Sequence, residues 1–324
     1  MSLNPSEYIF SAQVQNAKMF SEILSSVKMA PKDNKKKEIQ WATCDISKNS
    51  LKITMEQDKS MIASVELSCN LFKNYKFTVD ADLNSVQFQF PLQYLIDALN
   101  LYGASNLTGV HICYPGPENS LSLLLTETEV LTDCKIRTRD IGDDNMVSDF
   151  RFNENGPPDV KLILKSTVLH EALNELEWME NSVRLTVRAA IEQRYCGRLS
   201  FSVDGDAGNL TVTLNDKEET FTSFKADANH SYLYKLSHLM RVSKALSHTS
   251  DSCIRINDRG VLSIQVVIKS ETKLNTFAEF HMLPTELTEE EVQNVFASNE
   301  DEDEDMQDNQ NEEQSQAEDS MLDV

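Results

Sequence analysis

Residues 139–159 read RDIGDDNMVSDFRFNENGPPD. The stretch holds six carboxylates, two glycines and the adjacent Pro157 and Pro158. Proline donates no amide hydrogen and restricts the residue before it, so neither a helix nor a central strand passes through such a pair. The sequence therefore predicts an acidic connector on the surface. The chain on either side of it follows the same order twice.

The helical patterns repeat first. Phe20, Ile23, Leu24 and Val27 stand at i, i+3, i+4 and i+7, and Leu169, Ala172, Leu173 and Leu176 repeat the spacing after the connector. Each set is one apolar stripe on a helix. A second pair follows: Leu92, Leu95 and Ile96 in one half, Leu236, Leu239 and Met240 in the other. The offset is 144 residues, and it persists from Val110-His111-Ile112 to Ile254-Arg255-Ile256. These two tripeptides alternate as half-buried strands do. A repeated order of elements at a fixed offset points to a duplicated architecture.

The 324 residues, 40% of them hydrophobic, suffice for two cores of ordinary size. No apolar run is long enough to span a membrane. The start, MSLNPSEYIFSAQ, lacks the basic and apolar regions of a secretory signal. The six cysteines form no CxxC pair, which predicts reduced, buried thiols in an intracellular protein. The net charge of −22 is unevenly spread. Residues 285–324 hold 16 of the 52 acids and none of the 30 bases, which leaves 36 acids against 30 bases, or −6, in residues 1–284. The end of the chain is expected to be an acidic disordered tail, too polar to form a core.

Helices are expected over 15–29, 91–103, 166–180 and 236–249, with about eight strands in each half. Pro91 is expected at the first helical position, where a missing amide hydrogen costs nothing. Ser166 or Thr167 is the expected cap of the third helix. Lys48-Asn49 suits a hairpin turn. The predicted fold class is α+β, with the helices on one face of an antiparallel sheet.

This doubled order resembles the DNA sliding clamps. The strand pair WATCDIS and SLKITME, the hairpin SFSVDGDAGNLTVTL at 200–214 and the closing strand FAEFHMLP, which ends at Pro284, carry the likeness. It covers residues 7–284. Within the clamps, LFKNYKFTVDADLNSVQFQFPLQYLIDALNLYGAS and CIRINDRGVLSIQVVI are similar to the Rad-one family, one subunit type of the Rad-nine/Rad-one/Hus-one DNA-damage checkpoint clamp. The resemblance implies a first clamp half at 1–139, a connector at 140–158, a second half at 159–284 and a tail at 285–324. It implies a nuclear, non-catalytic subunit of a heterotrimeric ring, with sheets outside and helices around duplex DNA. Such a ring is placed by an ATP-driven loader and holds repair and checkpoint proteins at its connector. The implied partners are Rad-nine-like and Hus-one-like subunits. A homotrimeric replicative processivity clamp is the alternative within this fold; a 3′→5′ exonuclease and an acidic chaperone-like binding module are alternatives outside it.

Enzyme chemistry finds little support. The six histidines lie on different elements, with no HExxH or other metal-like spacing. Gly205-Asp206-Ala207-Gly208 joins two strands and opens no helix, so the anion site of a phosphate loop is missing. Asp216-Lys217-Glu218 falls in a polar turn, a poor place to hold two metals. No cofactor or metal is expected.

Three sets of residues are candidates for binding. Lys18, Lys28, Arg241 and Lys244 lie on polar helix faces, where cations can neutralise phosphates without reading bases. The basic loop with Lys32, Lys35, Lys36 and Lys37 is a separate contact for DNA or an acidic loader surface. By position in the clamps, Met55, Ile141, Met146, Leu283 and Pro284 would form a partner pocket under the connector, with His281 beside it where the replicative clamp has a tyrosine. In the tail, Ser298 precedes an acidic run, and Ser315 forms a Ser-Gln pair with Gln316; both are candidate phosphorylation sites. The four expected helices carry +1, −1, −4 and +2, or −2 in all. Three identical chains would thus line a ring with about −6, which repels phosphate.

Overall fold

The computed structural model describes residues 8–14, 16–29, 39–78, 84–103, 109–115, 117–141, 150, 158–177, 179, 182–190, 196–205, 208–247, 249–268 and 276–285. The chain divides into two units, Met1–Pro284 and Thr285–Val324. Past residue 285 the second unit, with Ser298 and Ser315, lies outside the described residues, as do Met146 and Lys32 to Lys37.

The first half runs β1 (Phe10–Val14), α1 (Ala17–Ser26), β2 (Trp41–Ser47), β3 (Ser50–Gln57), β4 (Met61–Ser68), β5 (Phe72–Phe77), β6 (Ser85–Pro91), α2 (Leu92–Leu99), β7 (Gly109–Tyr114), β8 (Leu121–Glu127) and β9 (Val130–Ile136). The second runs β10 (Val160–Lys165), α3 (Ser166–Asn174), β11 (Ser182–Arg188), β12 (Arg198–Gly205), β13 (Gly208–Asn215), β14 (Phe221–Ala226), β15 (His230–Lys235), α4 (Leu236–Leu246), β16 (Thr249–Ile256), β17 (Leu262–Ile268) and β18 (Thr276–Met282). The two lists match element for element. Among the described residues each half has nine strands, one more than expected, and two α-helices.

The apolar spacing in the sequence is what buries each element. Phe20, Ile23, Leu24 and Val27 are all buried along α1, and so are Leu169, Ala172, Leu173 and Leu176 along and just past α3. In β2 the residues alternate between buried and half-buried, with Ala42, Cys44 and Ile46 inward. Burial of this kind, at about 25 cal/mol per Å² of apolar surface, is the main favourable term in the fold.

Helix ends differ from the sequence expectation for physical reasons. Asn16 caps α1 by accepting from the Met19 amide at 3.0 Å. Near the other end of α1, Ser25 Oγ donates to Ser21 O and Ser26 Oγ to Ile23 O, so hydroxyls compete for helix carbonyls and the helix stops at Ser26 rather than 29. Ser247 Oγ donates to Lys244 O and Thr249 Oγ1 to Leu246 O at the end of α4. Asn100 Nδ2 donates to Ile96 O at the end of α2. Pro91 closes β6 and caps α2 in an extended conformation, one place earlier than expected. Lys165, not Ser166 or Thr167, caps α3, because β10 runs straight into the helix. Ser166 is then the first helical residue, and its hydroxyl bonds Ser252 Oγ at 2.8 Å.

Three antiparallel sheets result. One has the order β5-β1-β7-β8-β9, one β13-β12-β11-β15, and the third, of nine strands, β14-β10-β16-β17-β18-β4-β3-β2-β6. The nine-stranded sheet crosses between the halves through β18 and β4, with Met282 opposite Met61, Phe280 opposite Ala63 and Ala278 opposite Val65. The connector begins on the free side of β6. There Gln89 and Arg139 exchange backbone hydrogen bonds of 2.8 and 2.9 Å, and the Arg139 guanidinium stacks 4.1 Å over the Trp41 ring.

The NDRG turn at 257–260 is fixed by its own side chains. Asn257 Oδ1 accepts from the Arg259 and Val261 amides, and Tyr234 OH donates to Gly260 O. Gly260 has φ +72°, and a Cβ there would come within 2.5 Å of the Tyr232 ring. Only glycine fits both constraints. All six cysteines are free, but Cys196 is exposed, against the expectation that the thiols are buried.

Candidate functional site

The structure brings Lys28, Arg241 and Lys244 together although they come from different halves. They line a cleft of about 250 Å³ with Ser21, Glu22, Ser25 and Ser26. Lys28 lies just beyond the C-terminal end of α1; Arg241 and Lys244 lie on α4, at i and i+3 on its outer side. Three cations face one carboxylate here, so the cleft favours an anion. Burial lowers the proton affinity of the Arg241 guanidinium, opposed by the nearby Asp58 carboxylate. Arg241 Nε is buried and finds no hydrogen-bond partner among the described residues. Lys18 is exposed on α1 and is not among the residues lining the cleft.

Lys28 also lines a second, larger cleft of about 390 Å³. Its walls include Met29, Ile39, Met55, Pro91, Leu92, Gln93 and Tyr94, so it is mainly apolar. Tyr94 is 51% exposed and Ile39 47%. No motif in the sequence marks this cleft; its residues come from the segment just past α1, the segment before β2, β3, the end of β6 and α2, and only the fold joins them.

Of the five residues expected to form a partner pocket, Met146 lies outside the described residues and the other four are placed as follows. Met55 is 1% exposed and packs in the core, because the odd residues of β3 turn inward. It lines the Tyr94 cleft and presents no surface to a peptide under the connector. Ile141 is half-buried and is the last described residue before 150. Leu283 and Pro284 follow β18 and are half-buried, with the Leu283 amide donating to Ser60 O at 2.9 Å.

Beside them lies a polar cluster that pattern reading did not single out. Ser263 Oγ donates to Glu279 Oε1 at 2.8 Å, the Arg255 guanidinium bonds both Ser263 Oγ and Glu279, and His281 Nε2 stands 3.4 Å from Glu279 Oε1. Burial lowers the His281 pKa, and Arg255 and Lys52 add to this against Glu279. The signal was the outward alternation of β16, β17 and β18, which puts all four on one sheet face.

Features that suggest catalysis have structural roles. His170 Nδ1 lies 3.0 Å from Ser243 Oγ, Ser243 Oγ donates to Asn174 Oδ1 at 2.8 Å, and Asn174 Nδ2 lies 3.0 Å from His170 Nε2. This closed ring ties α3 to α4. Ser243 is 2% exposed and its proton is already committed, so it offers no nucleophile. Burial raises the carboxyl pKa of Asp216. Among the described residues no group of His, Cys, Asp or Glu is placed to hold a metal ion. No helix among them is long and apolar enough to cross a membrane.

Comparison with known proteins gives a consistent result. The model of the family described as "Repair protein Rad1/Rec1/Rad17" matches residues 9–268. The mouse "Cell cycle checkpoint protein RAD1" is 30% identical over 284 residues, covering 86% of this chain and 94% of that one. The human protein of the same description is 28% identical over 284 residues, covering 86% and 93%. Among solved structures, the PCNA2-PCNA3 complex from Sulfolobus tokodaii superposes with a TM-score of 0.63 at 14% identity, covering 85% of this chain and 98% of that one. The fold is the PCNA-like clamp fold.

Proposed function

Because the chain belongs to the Rad1/Rec1/Rad17 repair-protein family, we propose that it is a non-catalytic subunit of a heterotrimeric ring that encircles duplex DNA and recruits checkpoint and repair proteins. The family places it in DNA repair and checkpoint control, and a nuclear location follows from that role.

One observation carries the ring. Within the chain, the fourth strand of the first half pairs with the ninth of the second, β4 with β18. By the repeat, the reciprocal pair is the ninth strand of the first half, β9, and the fourth of the second, β13. Each lies at the edge of its own sheet. Leu210, Val212 and Leu214 of β13 are only partly buried, whereas their counterparts in β4, Ala63, Val65 and Leu67, are buried. On β9, Val130 and Leu131 are 50% and 54% exposed. An exposed apolar edge is a template for another chain. β9 of one subunit against a β13-like edge of the next repeats the internal joint and closes a ring.

The partners are taken to be different chains. The expected helices sum to −2, and the basic cleft between α1 and α4 does not offset Glu171, Glu175 and Glu177, exposed on and just past α3. A ring that gains affinity by neutralising phosphates then needs basic residues from elsewhere. Rad-nine-like and Hus-one-like subunits would supply them, and an ATP-driven loader would place the ring. Lys18, Lys28, Arg241 and Lys244 would face DNA. The outer surface near Ile141, Met146, Leu283 and Pro284 would receive repair proteins, and Ser298 and Ser315 would be modified.

The test is the mass of the purified chain in solution, alone and mixed with candidate clamp subunits, followed by loading onto nicked circular DNA. A mixed trimer that loads supports the proposal. A stable homotrimer that loads and slides unaided would replace it with a replicative clamp. Removal of residues 285–324 should leave assembly intact; loss of all partner binding on that deletion would point to a tail-driven binding module instead.

A further inference from the structure

The apolar cleft beside α2 lies next to the basic cleft, and Lys28 lines both. We infer that the cleft holding Tyr94 takes one unpaired nucleobase from a DNA strand whose phosphates run past Lys28 toward Arg241 and Lys244. The inference rests on the proposed DNA-facing role of α1 and α4 and adds a ligand to it.

Three features of the cleft fit a base. Its volume, about 390 Å³, lies within the range of small-molecule sites, about 300–1,000 Å³. Tyr94 presents an aromatic ring that is half exposed on the solvent side of α2, and Met29, Met55 and Leu92 form an apolar floor. A flat heterocycle gains by stacking on such a ring whatever its sequence. The third feature is a polar group set into the wall. Gln93 Nε2 donates to Asp97 Oδ1 at 2.6 Å, which directs its other amide atom away. That atom, Gln93 Oε1, is buried with no hydrogen-bond partner among the described residues. A buried acceptor without a donor is costly. The exocyclic amine of adenine, cytosine or guanine is a donor of the right kind.

The charge selects DNA over a peptide side chain. An aromatic residue of a partner would fill the cleft equally well, but unless acidic residues flanked it the adjoining cations would be left without a counter-charge. A nucleotide brings its base and its phosphate together, and Lys28 lines both clefts. In a fully paired duplex the bases are stacked inside and cannot reach Tyr94. The site therefore discriminates DNA with an unpaired base, at a bulge, flap or end, from intact duplex.

The experiment uses the full chain assembled with its candidate clamp subunits, at low salt, and two hairpin DNAs, one with a single bulged 2-aminopurine and one fully paired. Tighter binding of the bulged hairpin by about tenfold, the scale of one base–aromatic stack, is expected, with quenching of the 2-aminopurine fluorescence. Tyr94→Ala should remove the preference and the quenching and leave affinity for the paired hairpin unchanged. Equal affinity for both hairpins, or a preference that survives Tyr94→Ala, overturns the inference while the clamp reading stands. Saturable binding of an acidic, tryptophan-containing peptide that Tyr94→Ala abolishes, with no preference for bulged DNA, assigns the cleft to a protein ligand and also overturns it. No binding of either hairpin would remove this inference and the DNA-facing role together.

Discussion

Met61 of β4 sits opposite Met282 of β18, so the two halves share one sheet rather than meeting as separate bodies. Two residue pairs along, Phe280 faces Ala63 and is 1% exposed. Phe280→Ala removes a large side chain from this joint and should cost about 3–5 kcal/mol. Chemical denaturation should show one transition moved to lower denaturant. Two separated transitions, with only one moved, would mean that the halves unfold independently.

Gly260 is held between a positive φ and the Tyr232 ring, 2.5 Å from where a Cβ would lie. Gly260→Ala should destabilise the body by about 1–3 kcal/mol, from backbone strain and overpacking together. A paired Gly260→Ala, Tyr232→Ala variant relieves the clash but not the strain. Thermal melts of both should rank the double variant's loss below the sum of the two single losses.

The β9 edge can be tested without touching the core. Val130→Asp with Leu131→Asp places charge on exposed positions, so the melting temperature of the chain alone should change little. Assembly with partner subunits should weaken by at least about tenfold, because charge on an edge strand opposes pairing. Sedimentation of the mixture reads this directly. Assembly at wild-type strength would remove β9 from the ring contact.

The basic cleft makes a quantitative prediction. Each phosphate neutralised adds about 0.9 to the slope of log affinity against log salt. Lys28→Ala with Lys244→Ala should therefore reduce that slope by about 2 and weaken duplex binding alike for all sequences. A slope equal to that of the unaltered chain would place DNA elsewhere.

Stability should fall as the solution turns acidic. Burial, with Lys235 and Arg241 nearby and Asp58 opposing, lowers the His238 pKa to about 4 from its ordinary 6.5. Between those values the unfolded chain takes up a proton that the folded chain refuses. The stabilising difference is complete above the ordinary pKa and is lost as pH falls through that window. His111 and His281 shift in the same direction, while Asp216 is raised and acts in the opposite sense. Urea midpoints between pH 7 and 4.5 should drop less steeply for His238→Gln than for the unaltered chain. Parallel slopes would show that His238 is not a source of the acid sensitivity.

The binding surfaces were only partly legible in the sequence. Lys28, Arg241 and Lys244 were recognisable as cations on polar helix faces, because helical period sorts residues by face. That Lys28 and the two α4 cations share one cleft was not recognisable, since they are separated by more than half the chain. Met55 was misplaced for a related reason. Its position along the chain matched a pocket in related rings, but strand alternation turns it into the core.

The sequence by itself determined the repeat, the four helical stripes, the acidic tail composition and the punctuation by prolines and Gly260. Each of these depends on neighbours within a few turns or on a period of two or 3.6 residues, so local spacing contains it. Tertiary structure alone decided three things: the joint of β4 with β18, the open edges at β9 and β13, and the two clefts that share Lys28. These depend on which distant strands become neighbours. That choice is made by burying the apolar faces of both halves in one continuous sheet, and no local pattern records it.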